Sequence, residues 1–98
     1  MQPEPTVFVV DDDDAVRESI IFLLESVNLA VEGYASAEAY LDSYQPDRAG
    51  CLVLDISMPG MSGLELQETL QAQQIRIPII FITGHGDVPM SVRALKAG

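Results

Sequence analysis

An open α/β sheet of mostly parallel strands is predicted by three features of the sequence. Apolar runs without alternation recur at Thr6–Val10, Cys51–Leu54 and Ile77–Ile82, the pattern of strands buried on both faces. Segments with helical spacing separate them. The joining stretches carry the Pro, Gly, Asp and Ser of turns and caps. Strands and helices alternating at this spacing build βαβ units with right-handed crossovers.

The first strand ends abruptly in Asp11-Asp12-Asp13-Asp14. A helix follows, with Val16, Ile20, Leu23, Leu24 and Val27 on one stripe. Asp14 is its predicted N-cap and Asn28 its stop. Ala30–Ala35 is a weaker strand, and Ser36 caps a short helix through Ala39, Tyr40, Leu41 and Tyr44. Residues 45–50 form a loop containing Pro46 and Gly50. The strand Cys51–Leu54 also ends in an aspartate, Asp55. After the loop 56–63, Ser62 and Glu65 have the spacing of a capping box and start a helix with Leu66 and Leu70 inward. Ile77–Ile82 is expected to be a buried strand ending in Thr83, followed by the turn Gly84-His85-Gly86. Asp87 caps a fourth helix, with Pro89 in its first turn and Val92 and Leu95 on its apolar side.

The 98 residues suffice for one domain, expected to span 1–98. Apolar residues make up 48% and charged residues 20%, which excludes a disordered segment. No apolar run approaches the ~20 residues that cross a bilayer, and residues 1–5 lack the features of a secretory signal. The single Cys51 has no internal partner, so a reducing, cytoplasmic setting is expected. A formal charge of −10 is wrong for gripping a phosphate backbone, so no nucleic acid is expected to bind. It suits a cation or a basic partner, and equally a soluble acidic surface.

In open parallel sheets, functional groups gather beyond the carboxyl ends of the strands. Three strand ends offer polar residues here: Asp11 with Asp12, then Asp55, then Thr83. If the first and third strands are neighbours, three carboxylates share one small space. Such charges repel unless a cation sits among them, and oxygen-only ligands fit Mg2+ or Mn2+ rather than zinc. Each residue has a plainer reading: Asp55 as a turn residue, Asp11-Asp12 as a solvated run favoured by the helix dipole. Asp13 and Asp14 belong to the helix start, His85 is a solvated loop residue, and Met58, Met61, Met90 and Cys51 pack. An EF-hand is excluded because the acidic run lacks the glycine at loop position 6.

Val9-Val10-Asp11-Asp12, Leu52-Val53-Leu54-Asp55 with Met58-Pro59-Gly60 and Ser62-Gly63, and Ile80-Phe81-Ile82-Thr83-Gly84 together resemble response-regulator receiver domains. The stretch from Ile82 to Met90 is similar to the subgroup typified by FixJ, whose members usually join the receiver to a C-terminal DNA-binding domain. The resemblance implies a flavodoxin-like (CheY-like) doubly wound sheet of order 2-1-3-4. It implies that Asp55 is the nucleophile, taking a phosphoryl group from a sensor histidine kinase. Asp12, Asp55 and the Ser57 carbonyl would ligate Mg2+ or Mn2+, Asp11 would act through a metal-bound water, and Thr83 would contact the phosphoryl group.

Receivers continue into a fifth strand whose lysine contacts the phosphoryl group. The present sequence ends at Lys96-Ala97-Gly98, and Lys96, on the fourth helix, does not replace that lysine. With the fifth strand missing, slowed transfer, an uncoupled switch and self-association through the exposed Ile77–Ile82 edge are expected. A phosphorylation-incompetent docking module is therefore one alternative. A haloacid-dehalogenase-like phosphatase is another: Asp12, Asp14 and Val16 fit its Asp-x-Asp-x-(Thr/Val) pattern, but the downstream lysine and late acidic pair are absent.

Overall fold

Parallel pairing joins β1 (Thr6–Val10), β2 (Ala30–Tyr34), β3 (Gly50–Asp55) and β4 (Ile79–Ile82) into one sheet of order β2-β1-β3-β4. The computed structural model describes residues 5–82. The turn at Thr83 and the expected helix from Asp87 lie outside them. Connecting the strands are α1 (Asp14–Ser26), α2 (Ala37–Ser43) and α3 (Gly63–Ala72). The strand order reverses between β1 and β3, which defines the switch point of a doubly wound sheet.

Side chains alternate across the sheet, and each set finds its own helical cover. Phe8, Val10, Leu52 and Leu54 face α2 and α3, where Ala37, Tyr40, Leu66 and Leu70 complete the core with Met58. Tyr40 anchors this layer, its ring 5.7 Å from both Phe8 and Tyr34 and 6.5 Å from Tyr44. Val9 lies on the opposite face, level with Gly33 and Val53 on the adjoining strands. There α1 packs, its Arg17 and Ile21 closing over Gly33.

Helix ends follow their sequence signals with one correction. Asp13, not Asp14, is the N-cap of α1: its carboxylate accepts from the amides of Ala15 (2.9 Å) and Val16 (3.2 Å). Asp14 is already helical, where its charge favours the N-terminal dipole. Asn28 takes the left-handed conformation (φ 67°) that ends the helix. Ser36 caps α2, and Ser62 and Glu65 form the expected capping box on α3.

Two burial expectations are revised. The stripe read along α1 does not all face inward: Leu23 is 65% and Val27 62% exposed, and Val16 is exposed as well. The helix instead leans on β1 and β2 through Arg17, Ile20, Ile21 and Leu24, all half-buried. Gly33 has no Cβ to stand in the way of Arg17 and Ile21, and the Val16–Leu23–Val27 edge is left in solvent. Nor is β4 buried on both faces. Ile80, level with Val53 on the α1 side, is 56% exposed because α1 does not reach that far. Cys51 is half-buried.

Candidate metal centre

The strand register decides which residues meet. Val10 is level with Leu54, so the next residues, Asp11 and Asp55, leave adjacent strands side by side. Asp12 follows where the chain turns into α1. Carboxylate oxygens of Asp11, Asp12 and Asp55 all lie within 4.8 Å of one another. Three of the residues singled out from sequence are thus brought together. Ser57 joins them through its backbone, its amide donating to Asp55 Oδ1 at 3.2 Å. Thr83 lies outside the described residues.

The three acids are held differently. Asp11 is 3% exposed and held at three points. Its amide donates to the Tyr34 carbonyl (3.1 Å), its carbonyl accepts from Arg17 Nη1 (2.7 Å), and its Oδ1 accepts from the Asp13 amide (2.9 Å). Asp12 is exposed, at the mouth of the site. Asp55 is half-buried, between these two. Burial pushes the Asp55 carboxyl above the ordinary carboxylate range, the Asp11 and Asp12 charges push it the same way, and the Ser57 amide partly opposes them.

The donor set fits a hard divalent cation. Only oxygen donors converge, from two strand ends, with an exposed side left for water or a further oxygen ligand, which suits Mg2+ or Mn2+. No other group of three potential ligands occurs among the described residues.

Supporting contacts were less visible in the sequence. Gly63, read as a loop residue, opens α3 where a Cβ would stand 2.3 Å from the Asp55 carbonyl oxygen, so only glycine lets the helix start against that strand end. Its amide donates to the Ile56 carbonyl at 2.9 Å. Glu38 on α2 reaches across to accept from the Met61 amide at 3.2 Å, tying the loop after Asp55 to a second helix. The Ser62-Gly63 pair was a partial signal for the first contact. No local pattern announces the second.

A parallel sheet with acids at the tips of two adjacent strands at its switch point defines a doubly wound α/β domain of the kind that binds ligands beyond the carboxyl ends of its strands. The family model for the response regulator receiver domain matches residues 7–98. This chain belongs to that family. It is 55% identical over 92 residues to the transcriptional regulatory protein FixJ of Azorhizobium caulinodans, covering 94% of this chain and 44% of that protein. It is 54% identical to nodulation protein W of Bradyrhizobium diazoefficiens, covering 94% and 40% respectively. The solved structure of FixJ-N superimposes with a TM-score of 0.88 at 51% identity, covering all of this chain and 78% of that one. Response regulator StyR does so with a TM-score of 0.88 at 57% identity, covering 98% of this chain and 48% of its own. The chain spans less than half the length of these curated relatives. It is a receiver domain of the FixJ-like response regulators.

Proposed function

We propose that this domain accepts a phosphoryl group on Asp55 from a histidine kinase and thereby controls an output domain. The observation that carries the reading is the convergence of the Asp11, Asp12 and Asp55 carboxylates at the carboxyl ends of β1 and β3. An Asp55 carboxylate oxygen attacks phosphorus and an acyl phosphate forms. The phosphorus–nitrogen bond of the donor phosphohistidine breaks, its electron pair staying on the imidazole, which takes up a proton. Asp12, Asp55 and the Ser57 carbonyl would hold Mg2+ or Mn2+, with Asp11 acting through a water. When bound, that cation offsets the accumulated negative charge and keeps donor and acceptor in line. The Ser57 amide, already on Asp55 Oδ1, fixes which carboxylate oxygen is free to attack. Thr83 is assigned the phosphoryl contact on its position after β4.

The unit acts as a single signalling domain over residues 1–98, in the cytoplasm, not as a turnover enzyme. Its proposed output partner is a C-terminal DNA-binding domain like those of transcriptional regulators, and the receiver itself binds no nucleic acid. Among the described residues no helix is long and apolar enough to cross a membrane. A second reading, self-association as a docking module, is favoured by the exposed Leu23, Val27 and Ile80.

Titration with beryllofluoride and Mg2+, followed by NMR, tests the main reading. Saturable shifts at Asp55 and Ser57 that vanish in Asp55→Asn are expected. Shifts that persist in Asp55→Asn would remove Asp55 from its role.

A further inference from the structure

Among the described residues, Arg17 is the cation that contacts the acidic loop, and its hydrogen bonds go to the Asp11 carbonyl and Asp14 rather than to a carboxylate of the cluster. Its Nη1 donates to the Asp11 carbonyl oxygen at 2.7 Å, while Nη2 pairs with Asp14 Oδ1 at 2.5 Å. The guanidinium fork therefore spans the turn from Asp11, the residue after β1, to Asp14, the first residue of α1. The Arg17 side chain is only 16% exposed, whereas Asp14 is largely in solvent. A surface ion pair alone does not require an arginine laid down in this way.

A second observation comes from β2. Gly33 is level with Val9, and a Cβ there would stand 3.3 Å from Arg17 Cδ and 2.6 Å from Ile21 Cδ1. The bare backbone of β2 is thus the floor on which the arginine stem lies. The neighbouring Tyr34 carbonyl holds the Asp11 amide at 3.1 Å. Strand β2 fixes one side of the Asp11 peptide directly and the other through Arg17.

We infer that Arg17 is a positioning residue for the metal centre: it fixes the Asp11 peptide so that the Asp11 and Asp12 carboxylates are presented together. The inference rests on the proposed metal-binding function of the three acids. It makes a claim opposite in sign to simple electrostatics. A positive charge close to a cation site opposes cation binding, so removing it should tighten binding if charge were all that mattered. If Arg17 acts by geometry, removing it weakens binding. Loss of a partner that orients a ligand typically weakens metal affinity about tenfold or more.

The test is Mn2+ binding to the full chain by electron paramagnetic resonance, beside the thermal midpoint of the metal-free protein. Arg17→Gln and Arg17→Ala are expected to bind Mn2+ about tenfold more weakly. Arg17→Lys, which keeps the charge but not the fork, is expected to fall between them and the parent. Ile21→Ala loosens the same helix against Gly33 without touching Asp11, and it should lower the midpoint while leaving Mn2+ affinity unchanged. Tighter or unchanged binding in Arg17→Gln, or an equal loss in Ile21→Ala, overturns the inference. Asp12→Asn and Asp55→Asn separate the two claims. If they bind Mn2+ like the parent, the metal-centre reading itself fails. If they lose it while the Arg17 variants do not, only the role of Arg17 fails.

Discussion

Neutralising Asp55 should stabilise the metal-free domain, although it destroys the proposed phosphoacceptor. Its carboxylate lies within 4.8 Å of oxygens of both Asp11 and Asp12. Two unit charges at that separation repel by roughly 1 kcal/mol in bulk water and by roughly 3.5 kcal/mol at an effective dielectric of about 20. Asp12 is exposed and Asp55 half-buried, so the lower figure is nearer for that pair; Asp11 is buried, so the same figure is a minimum for its pair, and Asp55→Asn relieves at least about 2 kcal/mol. The asparagine oxygen can still accept from the Ser57 amide. For a domain of this size each kcal/mol is a midpoint rise of about 4–8 °C, and less in salt, where exposed charges are screened. The pH dependence has a definite sign. The folded carboxyl is held above its ordinary value by burial and like charge, so folding disfavours the ionised form. The penalty is full above the folded pKa, shrinks as pH falls through it, and is gone below the unfolded value. The advantage of Asp55→Asn should therefore be full near pH 8, shrink as pH falls through the raised folded pKa, and vanish only below the ordinary carboxyl value of about 4. Saturating Mg2+ should reverse the ranking, since a ligand at a hundred times its Kd stabilises the parent by about 2.7 kcal/mol. Differential scanning calorimetry at low ionic strength, with and without Mg2+, reads all three effects. A variant no more stable than the parent at pH 8 without metal would refute the like-charge account of the site.

Three further outcomes follow from the packing. Leu66→Ala, which opens a cavity under α3 at a fully buried position, should cost about 2–5 kcal/mol in urea denaturation, and a loss under ~1 kcal/mol would show that α3 is not anchored there. Gly63→Ala must displace backbone at the Asp55 carbonyl, whereas Gly33→Ala meets only side-chain atoms. The former should therefore lower both stability and Mn2+ affinity more than the latter, and the reverse order in parallel titrations would contradict this. Exposed Leu23, Val27 and Ile80 should make sedimentation concentration-dependent, and Leu23→Glu with Ile80→Lys should shift the distribution toward monomer. Identical distributions would exclude this surface.

How far the sequence revealed this site depends on the range over which each contact acts. Strand ends and caps are local: Val10 before Asp11, Leu54 before Asp55, and Ser62 with Glu65 are legible because a few neighbouring residues determine them. Even there the cap of α1 moved by one residue, since consecutive aspartates give equivalent side chains and only backbone conformation at Asp13 decides between them. The meeting of Asp11 with Asp55 is not local. It follows from β1 and β3 being neighbours, which apolar patterning allows but does not require, so the family resemblance had to supply the order. The Val16–Leu23–Val27 stripe was misplaced for a related reason. Periodicity identifies an apolar edge, but the edge of α1 that meets the sheet is the one carrying Arg17 and Ile21, which close over Gly33 on another strand. That same glycine gives Arg17 its path to the Asp11 carbonyl. The rotation of α1 and the clamp on the ligand loop thus share one cause, and neither can be read from the helix alone.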